Sequence, residues 1–183
     1  MMSAPRERQL STERVYEGRV VSLRVERVQL PSGRVTVREI VEHRGAVAMV
    51  PLLSPDTLLL VRQYRRAVDQ ELLEIPAGTL EPGEEVEACL QRELAEEIGH
   101  RAGRFSHLVN FLPSPGFLTE VLYVYLAEAL APHRLEAEEE DLRVEQVPLA
   151  RARALIDEGV IRDAKSIIGI LLTMERLARR SGA

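Results

Sequence analysis

Residues 85–98 combine a helical apolar pattern with a cluster of acidic side chains on the same face. Glu93, Glu96 and Glu97 follow one another at the helical spacings i, i+3 and i+4. Their face also carries the apolar residues Val86, Cys89, Leu90 and Leu94. Like charges at this spacing repel one another, and near the helix end that Gly99 predicts they also oppose the helix dipole. The chain must therefore fold so that this face turns inward and its carboxylates meet a cation.

The residue types around this cluster indicate which cation it would bind. Converging carboxylate oxygens are typical ligands of Mg²⁺ or Mn²⁺, and no group of His and Cys residues nearby indicates zinc. The alternative interpretation is a solvated acidic face, which is common for a run of charges but does not explain the apolar neighbours. Cys89 lies on the apolar stripe of the helix, which favours a packed thiol over a nucleophile.

Composition limits the possible partners. The chain has 183 residues, of which 45% are hydrophobic, enough for one compact domain with a small appendage. Its net charge is −5, so no overall basic field attracts nucleic acid or an anionic membrane. No apolar run has the length of a membrane span, the N-terminus lacks the apolar core of a signal peptide, and a single cysteine fits a reducing compartment. We expect a cytoplasmic protein.

The first part of the chain predicts strands. Residues 18–42 alternate apolar and polar side chains on both sides of Pro31-Ser32-Gly33, which predicts an antiparallel hairpin. A hairpin alone is too small to be stable, so it must pack on the rest of the chain or on a second copy. Residues 46–53 and 57–65 are nearly continuous apolar segments, which favours strands buried on both faces.

The second part predicts further strands and two closing helices. Strands are predicted at 104–112, at 119–130 and in a short segment that ends near Val147. Amphipathic helices are predicted at 149–158 and 164–179, the latter with Asp163 as its N-cap. Strands on both sides of a central helix, with helices at the end, predict an α/β or α+β layered fold around a mixed sheet.

A spaced motif surrounds the glutamate cluster. It runs from Gly78 through Glu84 to the stretch Arg92-Glu93-Leu94-Ala95-Glu96-Glu97-Ile98-Gly99. This pattern closely resembles the Nudix box, the loop-helix-loop signature of enzymes that hydrolyse nucleoside diphosphates linked to another moiety. His100 departs from the aliphatic residue that usually closes the box, and we interpret it as tolerated loop variation; a pH-sensing or ligand role is the alternative.

The resemblance implies a fold and two segments. It implies a Nudix-type α/β/α sandwich around a mixed sheet, with a small N-terminal antiparallel β-sheet. The corresponding domains would be residues 1–44, an N-terminal β-hairpin and dimerisation segment, and residues 45–183, the hydrolase domain. In the relatives that this chain resembles, the first strands contribute to a homodimer.

The same resemblance assigns roles within the box. Glu93 and Glu97 match the main metal ligands, Glu96 matches a ligand of a further ion, and the carbonyl of Ala77 matches a metal contact beside the turn at Gly78. A set of two or three Mg²⁺ ions, or Mn²⁺ ions, is implied. Such ions would neutralise a pyrophosphate and lower the pKa of a bound water.

Arg92 and Glu84 match the pair that orients the metal ligands in the family. The proton acceptor in the relatives is a glutamate in a loop after the sheet. Glu138 or Glu140 occupies the corresponding place in this sequence, with Glu139 a weaker candidate. The alternative is that this acidic loop is simply solvated.

Within the family, three segments resemble ADP-ribose pyrophosphatases. They are VRQYRRA at 61–67, LEIPAG before the box, and PSPGF, in which Pro115 lies where that subgroup carries a proline. Arg65 and Arg44 are candidates to contact the diphosphate or the adenine, and Arg62 is a weaker one because it should face away from Arg65 on a strand. Glu120 could accept ribose hydroxyls. Surface salt bridges are the alternative for each of these residues.

Three interpretations of function follow. The first is Mg²⁺-dependent hydrolysis of ADP-ribose, or a similar nucleoside diphosphate sugar, to AMP and ribose 5-phosphate. The second keeps this reaction with another sugar nucleotide, coenzyme A or a dinucleotide as substrate. The third is a sensor that binds a nucleotide sugar without turnover, although a sensor has no need of three intact glutamates. A purely structural dimerisation protein would leave the acidic cluster unexplained.

Overall fold

The computed structural model describes residues 6–135 and 141–182. No helix in this part of the chain is long and apolar enough to cross a membrane. In chain order, the elements are β1 (Arg8–Glu17), β2 (Ser22–Gln29), β3 (Val35–Glu42), β4 (Ala46–Ser54), β5 (Thr57–Arg65), β6 (Gln70–Glu74), β7 (Ala77–Thr79), α1 (Val86–Ile98), β8 (His100–Phe111), β9 (Leu122–Pro132), β10 (Arg143–Pro148), α2 (Leu149–Asp157) and α3 (Ala164–Ser181).

The chain forms two units, and the first comprises the residues up to Gly45 together with Leu112–Val121. Its sheet is antiparallel with the order β1-β2-β3. The predicted hairpin is β2–β3, and its turn includes Gly33 with a φ of +85°, a left-handed conformation that glycine adopts without strain. Segment 112–121 joins this unit because the Val41 N–H donates to the Phe117 carbonyl at 2.7 Å and the Thr119 N–H donates to the Val41 carbonyl at 3.0 Å.

The second unit comprises Ala46–Phe111 and the residues after Val121. Its sheet has the order β10-β5-β4-β9-β8, with β6 paired to β5 and β7 paired to β4. The sheet is mixed, since β4 is parallel to β9 and antiparallel to β5. The prediction of a mixed sheet with a small additional antiparallel sheet is confirmed.

Helices cover both faces of this mixed sheet. In β4, Ala48 and Val50 belong to one apolar core with α2 and α3, whereas Val47 and Met49 belong to a second core with α1. Because side chains alternate along a strand, a fully apolar segment such as 46–53 can serve two layers at once. The α/β/α sandwich is therefore confirmed, and so is the burial of both central strands on two faces.

The helix ends follow local signals. Helix α1 ends at Gly99, whose φ of +67° is left-handed and whose N–H donates to the Leu94 carbonyl. Helix α3 begins at the predicted cap Asp163, whose carboxylate accepts a hydrogen bond from the Ser166 N–H. Both predicted boundaries are confirmed.

Candidate active site

The carboxylate of Glu93 lies directly over the backbone of Gly78. A Cβ atom at position 78 would be 1.8 Å from both Cδ and Oε1 of Glu93, so only glycine leaves room for this carboxylate. Glu93 is 8% exposed, and its burial raises the pKa of the carboxyl group, although attraction from Arg92 opposes the shift. A buried carboxylate of this kind is stable in its charged form only beside a cation.

Arg92 holds together the acidic residues of α1 and of the preceding loop. Its Nε and Nη2 donate to the two carboxylate oxygens of Glu84, at 2.9 and 3.0 Å. Its Nη1 donates to Glu93 at 2.7 Å and to Glu96 at 3.1 Å. The hydrogen bonds from Arg92 lower the pKa of Glu84 to about 2, so this carboxylate is charged at neutral pH.

Glu97 is tied to the strand before the helix. Its Oε2 accepts a hydrogen bond from the Ala77 N–H at 3.1 Å. Ala77 begins β7 and pairs with Ala48 of the central strand β4, so the backbone of Ala77 has a fixed place in the sheet. The structure thus brings Glu93 and Glu97 close to Ala77 and Gly78. The predicted turn at Gly78 is wrong, because Gly78 lies within β7 and pairs with Val47 of β4. The metal-binding role of these residues stays a prediction.

The surroundings of Cys89 and His100 fit structural rather than catalytic roles. Cys89 is fully buried, and burial raises the pKa of its thiol, which fits a packed side chain rather than a nucleophile. Nδ1 of His100 lies 2.7 Å from the Ile98 carbonyl at the start of β8, which fits the interpretation of His100 as part of the loop structure.

Arg62 and Arg65 contact different carboxylates. Nε of Arg65 donates to the buried Glu74 of β6 at 2.8 Å, and Arg62 forms a bidentate pair with Glu145 of β10. Arg65 stays the stronger and Arg62 the weaker candidate for substrate contact, and both roles remain predictions.

The other predicted substrate contacts belong to the first unit. Arg44 is exposed and lines a cavity of about 300 Å³ in that unit, together with Arg19 and His43. Oε1 of Glu120 lies 3.6 Å from Nδ1 of His43. Pro115 is exposed in a turn closed by the Phe117 N–H and the Ser114 carbonyl. Their contacts with substrate remain predictions.

The predicted proton acceptors Glu138 and Glu140, and the weaker candidate Glu139, lie outside the described residues. Sequence reasoning also missed one residue, Glu74. It is a charged side chain within the apolar stretch LLEIP, a pattern that signals a buried and paired carboxylate.

Comparison with known proteins decides the family. Residues 42–168 match the family described as "NUDIX domain". The chain belongs to the Nudix family. Residues 7–41 match a second family, "Nucleoside diphosphate sugar hydrolase N-terminal domain", so the first three strands also have counterparts among known proteins.

Two relatives of this Nudix protein cover nearly its whole length. It is 38% identical to the "ADP-ribose pyrophosphatase" of Bacillus subtilis, with 92% of this chain and 93% of that protein aligned. It is 37% identical to the "Methanol dehydrogenase activator" of Bacillus methanolicus, with 90% of each protein aligned. A solved structure described as "ADP compounds hydrolase" has a TM-score of 0.89 and 25% identity, and covers 100% of both chains.

Nudix hydrolases generally use a divalent metal, and the donor set of this chain fits one. Glu93, Glu96 and Glu97 bring three carboxylates within five residues, and the space over Gly78 admits the buried carboxylate of Glu93. Within residues 6–135 and 141–182, no three acidic, His or Cys side chains converge as a metal would require. The three carboxylates do not converge because each has another partner. Arg92 donates hydrogen bonds to Glu93 and Glu96, and the Ala77 N–H donates to Glu97. Metal binding would exchange these partners for the ion.

Proposed function

We propose that this Nudix protein hydrolyses the pyrophosphate bond of ADP-ribose, or of a similar nucleoside diphosphate sugar, to AMP and ribose 5-phosphate. The observation that carries the proposal is the buried carboxylate of Glu93 over Gly78, linked through Arg92 to Glu84 and Glu96. The relative in Bacillus subtilis that is named for ADP-ribose, and the N-terminal match named for nucleoside diphosphate sugars, support the choice of substrate.

The residues of the motif would bind the metal ions and orient the metal ligands. Glu93, Glu96, Glu97 and the Ala77 carbonyl would hold two or three Mg²⁺ ions, with Mn²⁺ as a possible substitute. When bound, such ions supply charge neutralisation of the pyrophosphate and a water of lowered pKa. Glu84 stays charged and fixes Arg92, which in turn keeps Glu93 and Glu96 in place.

The remaining roles concern proton transfer and substrate contact. Glu138 or Glu140 would accept the proton of the attacking water. Arg65 would contact the diphosphate through its guanidinium group, whose planar fork of donors suits phosphate oxygens. Arg44 and Glu120 would contact the nucleoside or ribose, with Arg62 and Pro115 in supporting places.

We also propose a homodimer formed through the N-terminal strands, and a cytoplasmic location. All ten residues of β1 are exposed, and the same sheet exposes large apolar side chains on β3, namely Val35 and Val37. Exposed apolar groups on a small sheet favour a partner surface, and a second copy of the chain supplies the same surface by symmetry.

A second candidate keeps the chemistry and changes the substrate. The relative named as a methanol dehydrogenase activator is as similar as the ADP-ribose pyrophosphatase. A dinucleotide contains the same pyrophosphate linkage as ADP-ribose and is the alternative substrate. The alternative of a nucleotide-sugar sensor without turnover leaves the complete glutamate cluster unexplained.

The deciding experiment is a substrate panel with Mg²⁺ or Mn²⁺ in ¹⁸O-labelled water. ADP-ribose, ADP-glucose, GDP-mannose, a dinucleotide, coenzyme A and diadenosine polyphosphate are compared, and the products are resolved by mass. We expect AMP and ribose 5-phosphate from ADP-ribose at the highest kcat/KM, with the label showing which phosphorus accepts the water. Preferred cleavage of the dinucleotide would support the second candidate, and no cleavage of any compound would support the sensor.

A further inference from the structure

Lys165 is the only lysine among 24 basic residues, and it lies where a single nitrogen meets two carboxylates. Its Nζ donates to Oε1 of Glu74 at 2.8 Å and to Oδ1 of Asp163 at 2.9 Å. The side chain of Lys165 is only 13% exposed. An ammonium group donates several hydrogen bonds from one atom, whereas a guanidinium spreads its donors over a planar fork. The position therefore suits lysine in a chain that otherwise uses arginine.

Glu74 links this lysine to Arg65. Its side chain is 3% exposed, and its second oxygen, Oε2, accepts hydrogen bonds from Nε of Arg65 at 2.8 Å and from Nε2 of Gln63 at 3.4 Å. Arg65, Glu74, Lys165 and Asp163 thus form a series of alternating charges. Because a cation contacts each of its two oxygens, the buried carboxylate of Glu74 cannot turn without losing one of these partners.

The start of helix α3 is fixed against the strand that carries Glu74. Asp163 caps the helix by accepting from the Ser166 N–H at 3.1 Å. Oγ of Ser166 in turn accepts from the N–H of Ile75, the residue after Glu74, at 2.9 Å. Lys165 lies between Asp163 and Ser166, and hydrogen bonds hold both of these residues in place. Its ammonium group therefore has a fixed position beside Glu74.

We propose that Lys165 is a positioning residue for substrate binding, acting on Arg65 through Glu74. With Glu74 held by Lys165, the Nε–H of Arg65 has a fixed acceptor, and the guanidinium keeps one orientation toward the diphosphate. A guanidinium binds phosphate oxygens well only when two of its N–H donors are aligned with two oxygens. An Arg65 side chain without a fixed orientation therefore weakens substrate binding more than it slows the chemical step. The inference rests on the proposed function, in which Arg65 contacts the substrate.

The test is a double-mutant cycle on KM and kcat for ADP-ribose at saturating Mg²⁺. Lys165→Met should raise KM about tenfold and change kcat less than about twofold, because it affects binding rather than turnover. Arg65→Gln should raise KM by at least as much. If Lys165 acts through Arg65, the double variant has the KM of Arg65→Gln alone, since the two effects are not additive. A purely structural role of Lys165 would not give this coupling.

Two further variants serve as controls. Arg180→Met removes the ion pair between Arg180 of α3 and Glu128 of β9, and it should leave KM unchanged. Lys165→Arg keeps the charge with a different geometry and should raise KM about threefold. If Lys165→Met does not fold, as circular dichroism would show, Lys165→Arg in the same cycle with Arg65→Gln decides the question.

The possible failures can be told apart. Wild-type protein that cleaves no ADP-ribose contradicts the proposed function, and this inference with it. Arg65→Gln with a normal KM shows that Arg65 does not bind the substrate, which also overturns the positioning role. A normal KM in a folded Lys165 variant, or KM effects that multiply in the double variant, overturns the positioning role alone.

Discussion

Gly78 and Glu93 are in such close contact that a methyl group at position 78 would occupy the space of the Glu93 carboxyl, 1.8 Å from its Cδ atom. The two residues belong to different elements, β7 and α1, and the contact involves only the end of the Glu93 side chain. The end of a glutamate side chain can move at low cost, but the carboxylate would then leave its buried place. The contact thus serves the site more than the fold.

Gly78→Ala should therefore reduce activity more than stability. We expect turnover of ADP-ribose to fall on the order of 100-fold, because a ligand displaced by about 1 Å or more loses its geometry. The free energy of unfolding should fall by only about 1 kcal/mol. Steady-state kinetics and urea unfolding measure the two effects. Gly182→Ala, at a position with ordinary contacts, is the matched control. Unchanged turnover in Gly78→Ala would show that the place of Glu93 does not matter.

Glu97→Gln should abolish Mg²⁺-dependent turnover and preserve the fold. The amide oxygen of glutamine can still accept the hydrogen bond that the Ala77 N–H donates at 3.1 Å, but the ligand charge is lost. We expect a decrease in kcat of about 10²-fold or more, and a smaller rise of Tm on addition of Mg²⁺. Glu87→Gln, on the exposed first turn of the same helix, is the control. Activity close to wild type in Glu97→Gln would contradict the metal assignment.

Much of the central region could be predicted because its signals are local. The acidic face of α1, its end at Gly99 and the cap at Asp163 all depend on residues within one helical turn or two. The double-sided burial of β4 follows from an uninterrupted apolar run. Helix α1 was expected at 85–98 and is found at Val86–Ile98.

The features that were not predicted depend on contacts or exposure that a local sequence pattern does not show. Strand β1 was not predicted, because its ten residues are all exposed and its pairing with β2 contains irregular register. Glu74 and Lys165 are 91 positions apart, so no local pattern connects them. Strand β8 was expected from residue 104 but begins at His100, because the left-handed Gly99 reverses the chain without a longer loop.

Glu138→Gln should lower kcat by about 10²-fold or more and leave the Mg²⁺ concentration for half-maximal activity almost unchanged, because a general base removes a proton without binding metal. The measurement is a Mg²⁺ titration of ADP-ribose turnover, with Glu87→Gln on the exposed first turn of α1 as the control. If Glu140→Gln or Glu139→Gln loses activity instead of Glu138→Gln, that residue is the base. If none of the three variants is impaired, the base lies elsewhere in the chain.

Val37→Glu should convert the proposed dimer into monomers. Val37 is 51% exposed on β3 beside the exposed Val35, and a charge in an apolar interface is not compensated. Sedimentation velocity at micromolar concentration measures the oligomeric state of wild type and variant. Val160→Glu, at an apolar position of the second unit that is 39% exposed, controls for the added charge. A monomeric wild type would refute the dimer.

Glu128→Gln should destabilise the protein at neutral pH and less so in acid. The carboxylate is 14% exposed and accepts from Arg180 at 2.8 Å and lies 2.9 Å from Arg104. Desolvation acts to raise the pKa of Glu128, but the two arginines outweigh it and the pKa is lowered. Because the folded-state pKa is below the unfolded one, near 4.3, the stabilisation is complete above that value and is lost as pH falls through the folded-state pKa.

We expect a loss of about 1 to 2 kcal/mol in the free energy of unfolding at pH 7, with the difference from wild type decreasing as the pH is lowered below about 4. Urea unfolding at pH 7, 5, 4 and 3 measures this difference. Glu175→Gln removes the partner of Arg179 on the exposed face of α3, where both side chains are more than half exposed, and should cost less than about 0.5 kcal/mol. A pH-independent loss in Glu128→Gln would show that the residue contributes through packing and not through its charge.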